Sequence, residues 1–229
     1  MTHAPAASDR TAAARRRRCL IASLLWAGWL GHPYAAPIPA NAMPYASSAS
    51  TSRWWKLACH DEPAPCVLGV RLRGVIDKSR LQLFQEALRR RDATQRALGR
   101  AVALEVDVDS PGGQLFAALE IGRLLRRETA SVRVGPRAAC ISACVFVLMG
   151  ATTREVAVDA RIGLHRPSLG DPRRDMLVPA MSEELVRYAE EMGVSRQIVD
   201  EMLAIRARRV RFVTTAELAR HGLSVSIVR

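Results

Sequence analysis

The strongest constraint on the fold lies between residues 102 and 113. Apolar side chains alternate there with side chains that are mostly acidic, a pattern typical of a β-strand with one buried and one exposed face. The alternating residues are Val102, Ala103, Leu104, Glu105, Val106, Asp107, Val108 and Asp109. They lead directly into Ser110-Pro111-Gly112-Gly113, and a helical pattern follows from Gln114 to about Arg126. The sequence therefore predicts a strand, a tight glycine turn and a helix in direct succession.

Strands and helices alternate on both sides of this unit. A strand is expected at 67–76, followed by a helix that Asp77 or Ser79 can cap. Short strands are expected around 132–134, 156–158 and 162–164. The apolar run from Cys140 to Met149 predicts a buried helix, Ser182 and Ser195 each precede a helical pattern, and Thr214 with Glu217 forms a capping box. This order predicts an α/β domain with a largely parallel sheet.

The N-terminal segment has the features of an export signal. Arginines 15–18 precede an apolar run at 19–31, which is shorter than the roughly 20 residues that span a bilayer. Ala40-Asn41-Ala42 fits a small-residue cleavage site, with a site near Ala36 as the alternative. We expect a signal peptide at 1–42, a linker at 43–62 and one folded domain at 63–229. The competing interpretation is an uncleaved inner-membrane anchor formed by residues 19–36.

The net charge does not indicate a nucleic-acid partner. The chain carries +12, and removing residues 1–42 leaves 29 basic against 21 acidic residues, or +8. Lys56 and Lys78 are the only lysines, the arginines are scattered, and aromatic residues make up 5%. The chain is basic but lacks stacking aromatic residues and a known nucleic-acid-binding module, so we expect no nucleic-acid partner. The sequence also predicts no cofactor and no metal ion.

Four cysteines remain after the expected cleavage: Cys59, Cys66, Cys140 and Cys144. An oxidising compartment would permit disulfides, and sequence alone allows three pairings. The close spacing within each pair favours two local bridges, the first more strongly than the second. The alternative for Cys140 and Cys144 is that they are small buried side chains.

Three features could carry chemistry, although each has an ordinary structural explanation by itself. Gly112 and Gly113 can point bare backbone N–H groups into a cleft, or simply form a tight turn. Ser142 could be a helix cap or a nucleophile, and His165 could be structural or a base. Acyl transfer needs a nucleophile, a base and donors to the developing oxyanion, and the chain offers one of each.

The order of these motifs resembles the proteolytic subunit of the Clp protease, within the ClpP/crotonase superfamily. The resemblance covers roughly residues 64–229 and is carried by SPGG, then Ser142 in an apolar segment, Gly163-Leu164-His165, and Thr214-Thr215-Ala216-Glu217-Leu218 to Gly222-Leu223. Exported, largely uncharacterised bacterial relatives are most similar, since they share a signal peptide and a Cys-x-Ser-Ala-Cys segment.

This resemblance implies a spiral of ββα units and an acyl-transfer site. Ser142 would be the nucleophile and His165 the general base. The amides of Gly113 and Ala143 would bind the oxyanion, with Gly112 shaping that turn of the oxyanion hole.

One position departs from the family pattern. The family acid precedes an aromatic residue and the Ser/Thr-Ala-Glu segment, and Val210 stands there, before Phe212. Asp200 or Glu201 is a candidate substitute, and a backbone carbonyl could also hold the imidazole. A serine–lysine branch fits poorly because Lys56 and Lys78 lie outside the expected positions. A crotonase-like acyl-CoA enzyme fits poorly because it has no use for a serine–histidine pair.

Two functions remain open at this point. The first is an exported serine hydrolase that takes a peptide or protein substrate in the periplasm. The second is a weak or inactive relative that binds peptides or assembles with a partner. Homo-oligomer formation is compatible with both.

The export hypothesis makes a direct prediction about the mature N-terminus. Expressed in a Gram-negative host, the chain should be recovered outside the cytoplasm and begin near Met43, which N-terminal sequencing would read. A soluble cytoplasmic protein that retains Met1 would contradict export.

Overall fold

The computed structural model describes residues 54–59, 66–168 and 178–228. The predicted signal peptide or anchor at 1–42 lies outside these described residues. Within them, no helix is both long and apolar enough to cross a membrane.

The larger of two sheets has six strands. They are Trp55–Ala58 (β1), Cys66–Arg73 (β2), Val102–Asp109 (β3), Ser131–Val134 (β4), Thr153–Ala157 (β6) and Ser226–Val228 (β9). Their spatial order is β1-β2-β3-β4-β6-β9, and every neighbouring pair is parallel except β1 with β2. The expected largely parallel α/β sheet is thus confirmed.

A smaller sheet lies at the carboxyl end of β3. Its strands are Ala139–Ile141 (β5), Arg161–Leu164 (β7) and Arg211–Val213 (β8), with β5 parallel to β7 and β7 antiparallel to β8. Ser110, directly after β3, forms a parallel bridge with Cys140 in β5. The strand that leads into the glycine turn is therefore tied to the smaller sheet.

Six helices accompany the sheets in the described part of the chain. They are Lys78–Leu98 (α1), Leu115–Arg127 (α2), Cys144–Gly150 (α3), Val178–Glu191 (α4), Gln197–Ala204 (α5) and Thr215–Arg220 (α6). Asp77 caps α1 by accepting from the backbone N–H of Arg80 at 2.9 Å, and the predicted capping box of α6 is present. Both caps satisfy N–H groups that a helix start leaves unpaired.

The core lies on one face of β3 and around α3. Every α3 residue is buried, and the apolar residues of β3 face the same interior. The opposite face of the larger sheet is exposed and charged, with Arg71, Asp107 and Arg133 in register across three strands. The alternation of apolar and charged residues in β3 therefore divides core from solvent, as predicted.

Three local predictions were wrong. The run from Cys140 to Met149 is not one helix, because Cys140 pairs in β5 with Ile162 and the helix begins only at Cys144. Trp55–Ala58, placed in the linker, pair antiparallel with β2, so these four residues belong to the sheet. Helix α4 begins at Val178, before Ser182.

Both local disulfides are present. Cys59 is bonded to Cys66 and Cys140 to Cys144, with sequence separations of 7 and 4. The first joins the end of β1 to the start of β2, and the second joins β5 to α3.

Helices α2 and α3 approach at glycines. A β-carbon on Gly150 would lie 2.3 Å from the carbonyl oxygen of Gly122, far inside van der Waals contact. The Tyr188 hydroxyl from α4 donates to the Phe146 carbonyl at 2.7 Å beside this crossing. The position of α3 therefore depends on backbone contact that only glycine permits.

This contact predicts that Gly150→Ala destabilises the fold. Alanine is favoured over glycine within a helix by about 1 kcal/mol, but overpacking a buried contact costs about 1–3 kcal/mol. Urea unfolding should therefore show a net loss. Gly135→Ala is the control, since nothing lies within 4 Å of a β-carbon there. Equal stability of the two variants would show that the helices do not meet as described.

Candidate active site

Ser142 occupies the turn between β5 and α3. Its φ of 59° lies in the left-handed region that non-glycine residues adopt infrequently. Its N–H donates to the Gly163 carbonyl at 2.9 Å, and its carbonyl accepts from the Val145 N–H at 3.0 Å. A serine at a sharp turn from a strand into a buried helix presents its hydroxyl at the edge of the fold.

His165 follows β7, which lies beside β5. Because β5 and β7 are parallel and Ile141 is in register with Gly163, Ser142 and His165 both follow the carboxyl ends of neighbouring strands. The half-buried His165 ring has Nδ1 at 2.8 Å from the Arg166 carbonyl oxygen. A carbonyl oxygen can only accept, so this contact requires the proton on Nδ1. In the neutral ring Nε2 then carries a lone pair, as a general base needs.

The glycine turn lies against Ser142. A β-carbon on Gly112 would be 2.8 Å from the Ser142 β-carbon and 2.6 Å from the Ile141 carbonyl oxygen. The other side of the glycine turn is bonded to Ile76. The Gly112 carbonyl accepts from the Ile76 N–H at 2.8 Å, and the Gln114 N–H donates to the Ile76 carbonyl at 2.7 Å, so Gly113 is held between them. The turn is thus clamped between two backbone segments.

The amides of Gly112 and Gly113 differ in their hydrogen bonding. The Gly112 N–H donates to the Ser110 hydroxyl at 3.0 Å, so Gly112 shapes the turn and does not offer its amide. The N–H groups of Gly113 and Ala143 donate to no other described residue. These two amides could therefore stabilise a negatively charged oxygen beside Ser142.

One cleft of about 810 Å³ contains these groups. Ser142, Ala143, Gly113 and His165 line it together. Val75 and Phe116 line it as well and are 57% and 64% exposed. These exposed apolar side chains could contact apolar groups of a molecule bound in the cleft.

Val210 lies beside His165 without serving as an acid. The register of β7 and β8 pairs Leu164 with Arg211, and continuing it by one residue places Val210 opposite His165. Its Cγ1 is 2.7 Å from where a β-carbon on Gly163 would stand. The residue at the expected acid position therefore faces the strand that carries the base.

Neither suggested substitute acid pairs with His165. Asp200 pairs with Arg196 at 3.4 Å. Glu201 pairs with Arg211 and with His221, the latter at 3.1 Å. Sequence reasoning allowed for a backbone carbonyl behind His165 but could not identify it as that of Arg166, because every residue carries this group and no residue type signals it.

Three side chains of the described residues donate to carbonyls of α3. Besides Tyr188, Arg154 donates to the carbonyls of Leu148 and Met149 at 3.0 and 2.7 Å, and Arg126 donates to Met149 at 3.1 Å. Burial, with the neighbouring Arg126 charge, lowers the pKa of Arg154 to about 10. Cations at a helix carboxyl end also match the helix dipole. In the ranges described, no cluster of three or more metal-ligating side chains is present.

The contact between Gly112 and the Ser142 turn yields a paired prediction. Gly112→Ala should slow fluorophosphonate reaction at Ser142 about 100-fold, because displacing a reactive group by 1 Å costs that much. Gly74→Ala is the control, since both positions have positive φ, 97° and 78°, but nothing lies within 4 Å of a β-carbon on Gly74. Labelling mass spectrometry would measure both rates, and equal slowing would contradict the contact.

Comparison with known proteins shows the fold. No protein-family model matches the sequence, and no curated protein matches it significantly. A serine-to-alanine mutant of the 1510-N membrane-bound stomatin-specific protease is 20% identical, with a TM-score of 0.54 over 71% of this chain and 78% of that one. ClpP1 from Listeria monocytogenes is 18% identical, with a TM-score of 0.55 over 70% and 91%. The chain has the fold of ClpP-like proteases, as its sequence resemblance implied.

Proposed function

We propose that the chain is a serine hydrolase that acts on peptides, with Ser142 as nucleophile and His165 as general base. The observation that carries the proposal is the parallel pairing of β5 with β7, which puts both residues in one cleft with two available amides. The likeness to solved proteases supports a peptide substrate through the fold.

The proposed reaction uses these groups in order. His165 Nε2 takes the proton from the Ser142 hydroxyl as its oxygen attacks the substrate carbonyl. The oxyanion that forms accepts hydrogen bonds from the amides of Gly113 and Ala143. The scissile bond then breaks, His165 gives its proton to the leaving group, and the acyl group stays on Ser142. Water, losing its proton to His165, attacks this acyl-enzyme and releases the acid, and the proton returns to Ser142.

The base is oriented by a neutral group. The Arg166 carbonyl holds His165 in the required tautomer, but as a dipole it stabilises the imidazolium less than a carboxylate would. Neutralising the acid of a serine-protease triad costs about 10⁴-fold in turnover. We therefore expect slow hydrolysis of activated esters and little unaided peptide cleavage.

We further propose that the protein acts outside the cytoplasm. The arginine cluster and short apolar run at the N-terminus support export. Two disulfides support an oxidising compartment. A periplasmic protein and one anchored by residues 19–36 both satisfy these observations, and homo-oligomer formation stays a prediction.

A peptide-binding module without turnover is the second candidate, and Val210 favours it. Valine can neither orient an imidazole nor stabilise its cation. Such a protein would use the same cleft and its apolar rim, and its Ser142 would not react.

The test of the proposal is covalent labelling. A fluorophosphonate should modify Ser142, because His165 and the two amides activate it, and Ser142→Ala and His165→Ala should each abolish or strongly reduce modification. Ser168→Ala is the control, as this serine lines the same cleft. Peptide mapping by mass spectrometry locates the adduct. A wild-type protein that neither reacts nor turns over esters but binds peptides would support the second candidate.

Val210→Asp should raise ester turnover. A carboxylate opposite His165 would stabilise its cation, and part of the roughly 10⁴-fold deficit of a triad without its acid should be recovered. Val210→Asn is the control of equal size without charge. A gain in kcat for aspartate alone supports the placement of residue 210, whereas equal effects of both substitutions contradict it.

A further inference from the structure

We propose that the Cys140–Cys144 disulfide positions Ser142 for reaction, and that its reduction lowers reactivity at the site without unfolding the protein. This inference rests on the proposed function. The bond joins β5 to the first residue of α3 across a Cα–Cα distance of 5.2 Å. Ser142 lies midway between the two cysteines, and Ala143, one of the two oxyanion donors, lies in the same closed loop.

The turn inside this loop is held by backbone hydrogen bonds and by contact with Gly112, and no described side chain caps the helix that follows it. Ser142 holds a left-handed φ of 59°, which a non-glycine residue keeps only when its surroundings enforce it. Helix α3 has seven residues, a length that is marginal for an isolated helix. Its N-cap residue is Ala143, and no side chain accepts from the first turn.

The two ends of α3 are therefore held by different means. Toward the carboxyl end, Arg154 and Arg126 donate to the carbonyls of Leu148 and Met149, and Tyr188 donates to the Phe146 carbonyl in the first half of the helix. At the amino end, no described side chain supplies a hydrogen bond, and the helix start is held by backbone hydrogen bonds, by packing against Gly112 and by the disulfide. The covalent bond takes the place of the missing cap at the end where the nucleophile lies.

The size of the loop favours a local role over a global one. A disulfide stabilises a fold largely by restricting the unfolded chain, and this restriction is weakest for short loops. The Cys140–Cys144 separation is 4 residues. Its main consequence is therefore the geometry of the residues it encloses.

The chain contains a matched control. Cys59–Cys66 is also a local disulfide, with a separation of 7, but it joins two strands at the edge of the larger sheet. No residue of that bond lines the cleft. Removing either disulfide opens one short covalent loop, and only the loop closed by Cys140–Cys144 contains Ser142.

The first experiment compares Cys140→Ala/Cys144→Ala with Cys59→Ala/Cys66→Ala in the full oxidised chain. We expect fluorophosphonate labelling of Ser142 to fall at least about tenfold in the former and to stay within about twofold of wild type in the latter. With an activated ester, kcat should fall while KM holds, because the apolar rim of the cleft is not enclosed by the loop. Equal losses in both variants, or no loss in either, would overturn the proposal.

A second measurement uses reduction, because the alanine pair leaves space in the core and could impair folding. In Cys59→Ala/Cys66→Ala, dithiothreitol supplies two electrons and two protons to give two thiols at 140 and 144 and is itself oxidised to its cyclic disulfide. Labelling should fall, and glutathione disulfide should restore it by reforming the bond. Reduction confirmed by thiol mass analysis, with labelling unchanged, would overturn the proposal.

Hydrogen exchange separates this inference from the proposed function. Reduction should speed amide exchange in peptides covering 142–146, while peptides of β3 and α2 stay protected. This readout does not require catalysis, so a wild-type protein that never labels would refute the proposed function and still leave the positioning claim measurable. Unchanged protection at 142–146 after reduction would refute the positioning claim.

Discussion

The parallel pairing of β5 with β7 is the interaction on which the candidate site depends. Each strand is only three or four residues long, yet their register sets where Ser142 and His165 leave the sheet. The Ser142 N–H extends this pairing by one more hydrogen bond, to Gly163. Two reactive side chains more than twenty residues apart in sequence are thereby brought to one edge.

Glycine at three places lets other backbone segments reach that edge. Gly112 brings the turn after β3 against Ser142, and Gly122 with Gly150 lets α2 pack directly on α3. A β-carbon at any of the three would meet backbone atoms at less than 3.0 Å. Close packing of main chain thus positions the glycine turn against Ser142 and α2 against α3.

Sequence reasoning recovered the elements whose signal is local and missed those whose partner is distant. The period-two alternation of β3 and the capping box at Thr214 are readable because each pattern lies in consecutive residues. β1 lies in a segment rich in Ala, Ser and Pro and exists because of its pairing with β2. β5 lies at the start of an apolar run that periodicity cannot assign to strand or helix. Among the candidate site residues, Ser142 and His165 followed from motif order. The hydrogen bond from the Gly112 N–H to the Ser110 hydroxyl did not, because it depends on the conformation of the turn.

The contact between His165 and the Arg166 carbonyl has a consequence for genetics. A main-chain oxygen is present whatever amino acid occupies position 166, so no ordinary side-chain substitution removes it directly. Under the proposed function, alanine scanning of the cleft would identify Ser142 and His165 as a two-residue centre, although the Arg166 carbonyl would be a third group that orients the imidazole. Replacing the 166–167 amide by an ester would not remove this oxygen but would weaken it as an acceptor. A backbone modification of this kind can therefore test the Arg166 carbonyl, which no codon change removes.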